Sequence, residues 1–397
     1  MTPATPTPHR NEDRRGAGVA HFCLDAAEIH GWLALARLPG PSASSITRAA
    51  HTAGGAAALV RQLVRGDPVL ELTAATRQTL LVTASRPDRE VERWLETPRH
   101  HLLIHGSDDY PETLTTIAGA PLVLFVEGDP EVLHLPQLAI VGSRRPTAAG
   151  RALATDFAAE FGRSGLVVTS GLALGIDAAA HRGALAGGGR TIAVCGTGLA
   201  CVYPRENAAL AREISASGAL VSEFPLAFPP RPAHFPQRNR IIAGLSLGVL
   251  VVEAALRSGS LITARLAGEQ GRAVFAVPGS IHNPMARGCH RLIRDGAHLV
   301  EAAAEVVAGL DFGLATPCHR SLAQAPEAQH VFPPELDTAR EILLNAVGFD
   351  PVDLDTLVER TGLAAQVLAA KLLVLELEGE VESRGGRFCR VASGRSS

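Results

Sequence analysis

The chain has 397 residues, 46% hydrophobic and 19% charged, enough to bury a core in each of two or three domains. Its formal net charge is −3, so any site for a polyanion is a local patch and not a global field. No run of about 18 apolar residues occurs, which excludes a membrane-spanning helix of ordinary length.

Residues 1–24 are polar, rich in Pro, Thr and Arg, and lack the apolar stretch of a signal peptide. They are expected to form a disordered tail on a cytoplasmic protein. Residues 25–100 are rich in alanine and leucine at helical spacing, as in Ile29-His-Gly-Trp-Leu-Ala-Leu-Ala-Arg37, and predict a small helical domain. From 101 to 312, short apolar runs at 122–126, 138–141, 166–169, 191–194, 220–221, 250–252 and 273–276 alternate with amphipathic stretches such as 148–161 and 208–217. That alternation predicts parallel strands with crossover helices, an α/β fold with a Rossmann-like sheet core. Residues 313–334 read as a linker. Residues 335–397 predict three helices, at 337–346, 353–361 and 364–377, and a Gly-Gly hairpin at 381–391, the pattern of a winged helix. Acidic residues outnumber arginines there, so reading of duplex DNA by that part is not expected.

The six cysteines are scattered and form no Cys-x-x-Cys pair. They predict neither a metal site nor a disulfide framework, and no cofactor is expected. Several enzyme signatures are missing. There is no Gly-x-x-x-x-Gly-Lys-Ser/Thr loop and no Gly-x-Gly-x-x-Gly after the first strand of the sheet. Gly244-Leu-Ser-Leu-Gly248 fits a nucleophile elbow by letter, but it follows a helix and opens a strand, the reverse of that motif. Asp177 and His181 read as a helix-start carboxylate and a structural histidine. Glu223 and Glu253, at strand ends, read as carboxylates that orient arginines.

The stretch His234-Phe-Pro-Gln-Arg-Asn-Arg240 carries the main signal. It places Arg238, Asn239 and Arg240 behind Phe235 at what reads as a helix start, a pattern suited to phosphate contact and base stacking. For Phe235, stacking on a base and anchoring a proline-rich loop are equally compatible with the sequence. A second cluster, Gly142-Ser143-Arg144, ends a strand, and glycine-bearing loops recur at Ser170-Gly171, at Gly196-Thr-Gly198 running on to Arg205, and at Arg257-Ser258-Gly259. Loops at successive strand ends converge on one rim of such a sheet. The expected site is therefore Gly142, Ser143, Arg144, Ser170, Gly171, Arg205, Phe235, Arg238, Asn239, Arg240, Ser258 and Gly259, binding single-stranded nucleic acid.

The order of these motifs, with Val274-Phe-Ala-Val-Pro-Gly279 and Gly288-Cys-His-Arg-Leu-Ile-Arg-Asp-Gly-Ala297, resembles the DNA-processing protein A family, also called DprA or Smf, over about residues 101–310. The resemblance implies a protein without catalytic activity. Such a protein binds incoming single-stranded DNA in natural transformation, protects it and helps load the RecA recombinase. It also implies a homodimer joined through His290, Ile293 and Leu299. Arg205 stands where many members carry lysine, and Leu174 where arginine is common. The alternative reading is a Rossmann-like nucleotide-binding enzyme or nucleotide sensor. The Pro-Gly-Gly-x-Gly-Thr loop of nucleoside-monophosphate phosphoribohydrolases is missing from the chain.

Overall fold

The computed structural model describes residues 25–86, 88–310 and 338–391. The expected tail at 1–24, the expected linker at 313–334, Cys23 and Cys318 lie outside those residues.

Helices α1 (Ala26–Ala36), α2 (Ala43–Ala53), α3 (Ala56–Arg65), α4 (Ala74–Ala84) and α5 (Arg89–Leu95) form the helical region. Asp25, Ser42 and Thr73 cap α1, α2 and α4, each side chain accepting the backbone N–H three residues on. These helices share one apolar cluster with Val123 and Phe125 of the following sheet, so the region is packed against that sheet's edge.

The central region runs β1 (His100–Ile104), α6 (Glu112–Thr115), β2 (Val123–Gly128), β3 (Gln137–Val141), α7 (Ala148–Arg163), β4 (Val167–Ser170), α8 (Ile176–Ala186) and β5 (Thr191–Val194). It continues with α9 (Ala208–Ser217), β6 (Ala219–Ser222), α10 (His234–Leu245), β7 (Gly248–Val251), α11 (Ser260–Glu269), β8 (Ala273–Ala276), α12 (Arg287–Arg294), β9 (His298–Leu299) and α13 (Ala303–Gly309). Among the described residues, one sheet has the order β1-β2-β6-β5-β4-β3-β7-β8-β9. From β6 to β9 every pair is parallel. Strands β3 to β7 are buried on both faces, which explains why their sequences read as unbroken apolar runs. The run at 122–126 departs from the expectation. As β2 it lies antiparallel to β6 and pairs on its other side with β1, which the sequence pattern did not predict. An antiparallel edge on a parallel sheet is common in doubly wound folds.

The strand order reverses between β3 and β7, which lie side by side although four helices and three strands separate them in the chain. Such a switch point opens a crevice at the carboxyl ends of the strands. The third region contains α14 (Thr338–Val347), β10 (Val352–Asp353), α15 (Leu354–Thr361), α16 (Ala365–Leu377), β11 (Val381–Arg384) and β12 (Arg387–Arg390). Three helices and the small sheet β10-β12-β11 enclose their own core around Leu343, Leu357, Leu368 and Leu372, a winged helix as expected. No helix among the described residues is long and apolar enough to cross a membrane.

Candidate nucleic-acid interface

A groove of 610 Å³ lies at the carboxyl ends of β3 and β4, walled by the first turns of α10 and α11. Arg144, Tyr203, Arg231, Phe235, Ser258 and Gly259 face it, with Asp177, Arg238 and Asn239 at its floor.

The floor is set by internal bonds. Asp177 is buried at the start of α8, and its Oδ2 accepts from Gly171 N–H at 3.1 Å and Ala173 N–H at 3.4 Å. Between those two donors Leu172 takes a left-handed φ of 58°, which turns both N–H groups inward to make an anion nest. The nest is filled by the protein's own carboxylate. Burial pushes the Asp177 carboxyl up from its ordinary value, against the opposing pull of Arg238 and the two loop N–H groups. Arg238 is 4% exposed. Its Nη1 donates to Gly171 O at 2.8 Å and to Val194 O, and its Nε donates to Asn239 Oδ1 at 3.3 Å. Asn239 Nδ2 in turn donates to Gly259 O at 3.3 Å, tying α10 to the start of α11.

Glu253 plays the matching role at α7. Its carboxylate accepts from Thr147 N–H and Thr147 Oγ1, both at 2.8 Å, and from Asn283 Nδ2 at 3.1 Å. A Cβ at Gly150 would lie 2.4 Å from Glu253 Cδ, so the glycine makes room for this carboxylate. Where a dinucleotide fold offers backbone N–H groups at the strand ends to phosphate, this chain has placed Asp177 in the loop before α8 and Glu253 at the start of α7.

The rim is different. Arg144 is exposed, and its guanidinium carbon stands 5.5 Å from the centroid of the Phe235 ring. Tyr203, 45% exposed, has its ring 5.6 Å from the same ring. Phe235 rests on the β5 loop because residue 196 is glycine; a Cβ there would come within 2.7 Å of Phe235 Cδ1. Arg231 is exposed and lies over the Phe228 ring at 5.3 Å. Neither Arg144 nor Arg231 has a carboxylate partner among the described residues.

Several expected site residues sit elsewhere. Ser143 turns inward, its hydroxyl accepting from Arg145 N–H at 3.0 Å and facing Met285 Sδ at 3.5 Å. Ser170 is fully buried and donates to Ile140 O at 2.6 Å. Gly171 spends its N–H on Asp177. Arg240 points away from the groove into a two-pronged ion pair, Nη1 to Glu223 Oε1 at 2.6 Å and Nη2 to Glu223 Oε2 at 2.5 Å. The reason is helical geometry. Helix α10 begins at His234, so Arg238 and Arg240 lie in its second turn, about 200° apart around its axis. They are not at a helix start as expected. Arg205 is exposed but does not line the groove; Tyr203 and Arg231, which the sequence reading passed over, do. Arg231 sits four residues before Phe235, and a cation at that spacing from a rim aromatic was the available signal.

Burial pushes the Cys195 and Cys289 thiols up to about 12. Among the described residues no group of three or more His, Cys, Asp and Glu side chains is placed to hold a metal ion.

Comparison with known proteins agrees with this architecture. The family model described as DNA recombination-mediator protein A matches residues 101–311, and one described as the DprA winged helix domain matches residues 325–387. Protein Smf of Escherichia coli is 42% identical over 367 residues, which cover 91% of this chain and 95% of that protein. DNA processing protein DprA of Streptococcus pneumoniae is 47% identical over 205 residues, 52% of this chain and 72% of that protein. The X-ray structure of DNA processing protein A from S. pneumoniae superposes with a TM-score of 0.62 at 35% identity, covering 73% of this chain and 99% of that one. With a match over more than half its length and a relative aligned almost end to end, this chain belongs to the DNA recombination-mediator protein A family.

Proposed function

We propose that the chain binds single-stranded DNA along the rim groove, protects it, and helps load it with the RecA recombinase during recombination and transformation. The observation that carries this reading is the stack of Arg144 on Phe235 beside exposed Tyr203. A cation with no acidic partner among the described residues, next to half-buried Phe235 and exposed Tyr203, suits a flexible strand, phosphate on the guanidinium and base on an aromatic ring. Arg231 extends the cationic rim along the same wall. The internal carboxylates weigh against a nucleotide cofactor or small nucleotide ligand, because Asp177 fills the N–H nest of the loop before α8 and Glu253 the N-terminus of α7. The same two carboxylates are tied down by hydrogen bonds, which favours a binding role over acid–base chemistry.

The groove residues of the proposed site are Gly142, Arg144, Tyr203, Arg231, Phe235, Ser258 and Gly259, on the scaffold of Asp177, Arg238 and Asn239. We place the homodimer contact at α12 and β9. Leu299 is 50% exposed on β9, the last strand in the sheet order, with His290 and Ile293 on the adjoining helix. The test is competition. A labelled oligothymidine bound to the chain is challenged with unlabelled single strand, matched duplex and ATP. Displacement by the single strand alone is expected. Displacement by ATP at comparable concentration would move the assignment to a nucleotide sensor.

A further inference from the structure

The helix that enters the major groove in winged-helix DNA readers corresponds here to α16, and it is apolar on every side. Leu368, Leu372 and Leu375 face inward and pack in the winged-helix core. On the opposite face Val367, Leu373, Val374 and Leu377 are 45%, 57%, 52% and 81% exposed, with exposed Ala370 between them. Residues 367, 370, 374 and 377 follow the i, i+3, i+4 spacing of a contact stripe. A helix apolar all round belongs in an interior, so this face is built to be covered. Nucleic acid is a poor occupant, since the charges beside the stripe, Lys371 and Arg340 against Glu378 and Glu380, leave a polyanion no net positive patch.

We propose that the cover is α16 of a second copy of this chain, crossing antiparallel about a two-fold axis near Val374. The charges flanking the stripe carry the choice of occupant. Lys371 and Glu378 are seven residues apart, about two turns, and so lie on the same flank. In an antiparallel two-fold pair like flank meets like flank. Lys371 then meets Glu378 of the partner subunit, and Glu378 meets the partner's Lys371. The surface is self-complementary, as a two-fold contact requires. Leu377 lies over Ala370 of the partner subunit, whose small side chain lets the helices approach. Glu378 already bonds Arg340 at 2.7 Å, which holds its carboxylate in place at the end of the helix. One helix pair is a small interface, so the association belongs to the weak, concentration-dependent class. It is separate from the α12 and β9 contact, and a chain with both would assemble beyond a dimer.

Lys371 is the one lysine of the chain, which makes the test direct. Unlabelled and heavy-isotope-labelled full-length chains are mixed and treated with a carbodiimide, which joins an amine to a neighbouring carboxylate. The expected product is a mixed light–heavy peptide linking Lys371 to Glu378. Its yield should fall about tenfold or more in Leu377→Glu, a site too exposed to disturb the fold. Lys371→Glu and Glu378→Lys should each reduce self-association in sedimentation velocity, and the double exchange should restore it. If Lys371 links only within one chain, or to other carboxylates, or if the double exchange does not restore association, something else covers α16 and the proposal falls.

Discussion

Glu253 holds, with its own carboxylate, the N-terminus of α7: Oε2 accepts Thr147 N–H at 2.8 Å while Oε1 accepts the Thr147 hydroxyl at 2.8 Å. The arrangement closes the position that phosphate takes in dinucleotide folds and ties β7 to α7 across the switch point. Glu253→Gln sets an amide nitrogen against donors in a buried site. The expected cost is about 1–3 kcal/mol in urea unfolding. An unchanged midpoint would show that this carboxylate does not hold the crevice together.

Arg144 and Arg240 make a second comparison, since both are arginines of the expected site. Arg144→Ala should weaken oligothymidine binding and lower the slope of log K against log salt by about 0.7, the value for one phosphate contact on a single strand. Arg240→Ala should leave that slope alone and instead reduce stability, because it strands Glu223, which is 10% exposed. A lower salt slope in Arg240→Ala would refute the placement of that side chain.

Gly196 supports Phe235 from below. Gly196→Ala pushes a methyl group to within 2.7 Å of the ring and should displace it from its place beside Arg144. Single-strand affinity should drop by about 1–3 kcal/mol, the same range as Phe235→Ala, if the ring stacks on a base. Phe235→Ala with full affinity would reduce the ring to a loop anchor.

His181 gives the fold a pH dependence. Thr191 Oγ1 donates to Val168 O, so His181 Nδ1–H must donate to Thr191 at 2.7 Å, leaving Nε2 unprotonated and without a partner. Burial, reinforced by Arg238 and Arg182, lowers the His181 pKa to about 3. The folded value lies below the unfolded one, so the stability is fully present above the ordinary value of 6.5 and is lost as pH falls toward about 3. Within that window this residue should cost up to about 1.4 kcal/mol per pH unit. His181→Gln, which cannot titrate, should flatten the acid limb of a stability–pH curve; an identical slope in both proteins would contradict the burial argument.

Much of this fold was legible because its signals are local. Buried parallel strands write themselves as apolar runs, and the winged helix declares itself through Gly385-Gly386 between alternating residues. What escaped depends on partners distant in sequence. The antiparallel β1 and β2 edge is set by β6, about a hundred residues on. Ser170, Gly171 and Arg238 looked like phosphate ligands because the residues that bind polyanions also satisfy internal carboxylates and carbonyls. Only the fold shows that Gly171 spends its N–H on Asp177. Arg240 was misplaced because two residues apart on one helix lie about 200° apart around its axis, so with Arg238 on the groove floor Arg240 turns toward Glu223.

The most direct test of the central claim is fluorescence anisotropy of a labelled oligothymidine in a salt series, with wild type, Arg144→Ala/Phe235→Ala and Arg240→Ala side by side. Tight, salt-sensitive binding by wild type, retained by Arg240→Ala and lost in the double variant, is the result expected if the rim groove holds the strand. Equal binding by wild type and the double variant would contradict it.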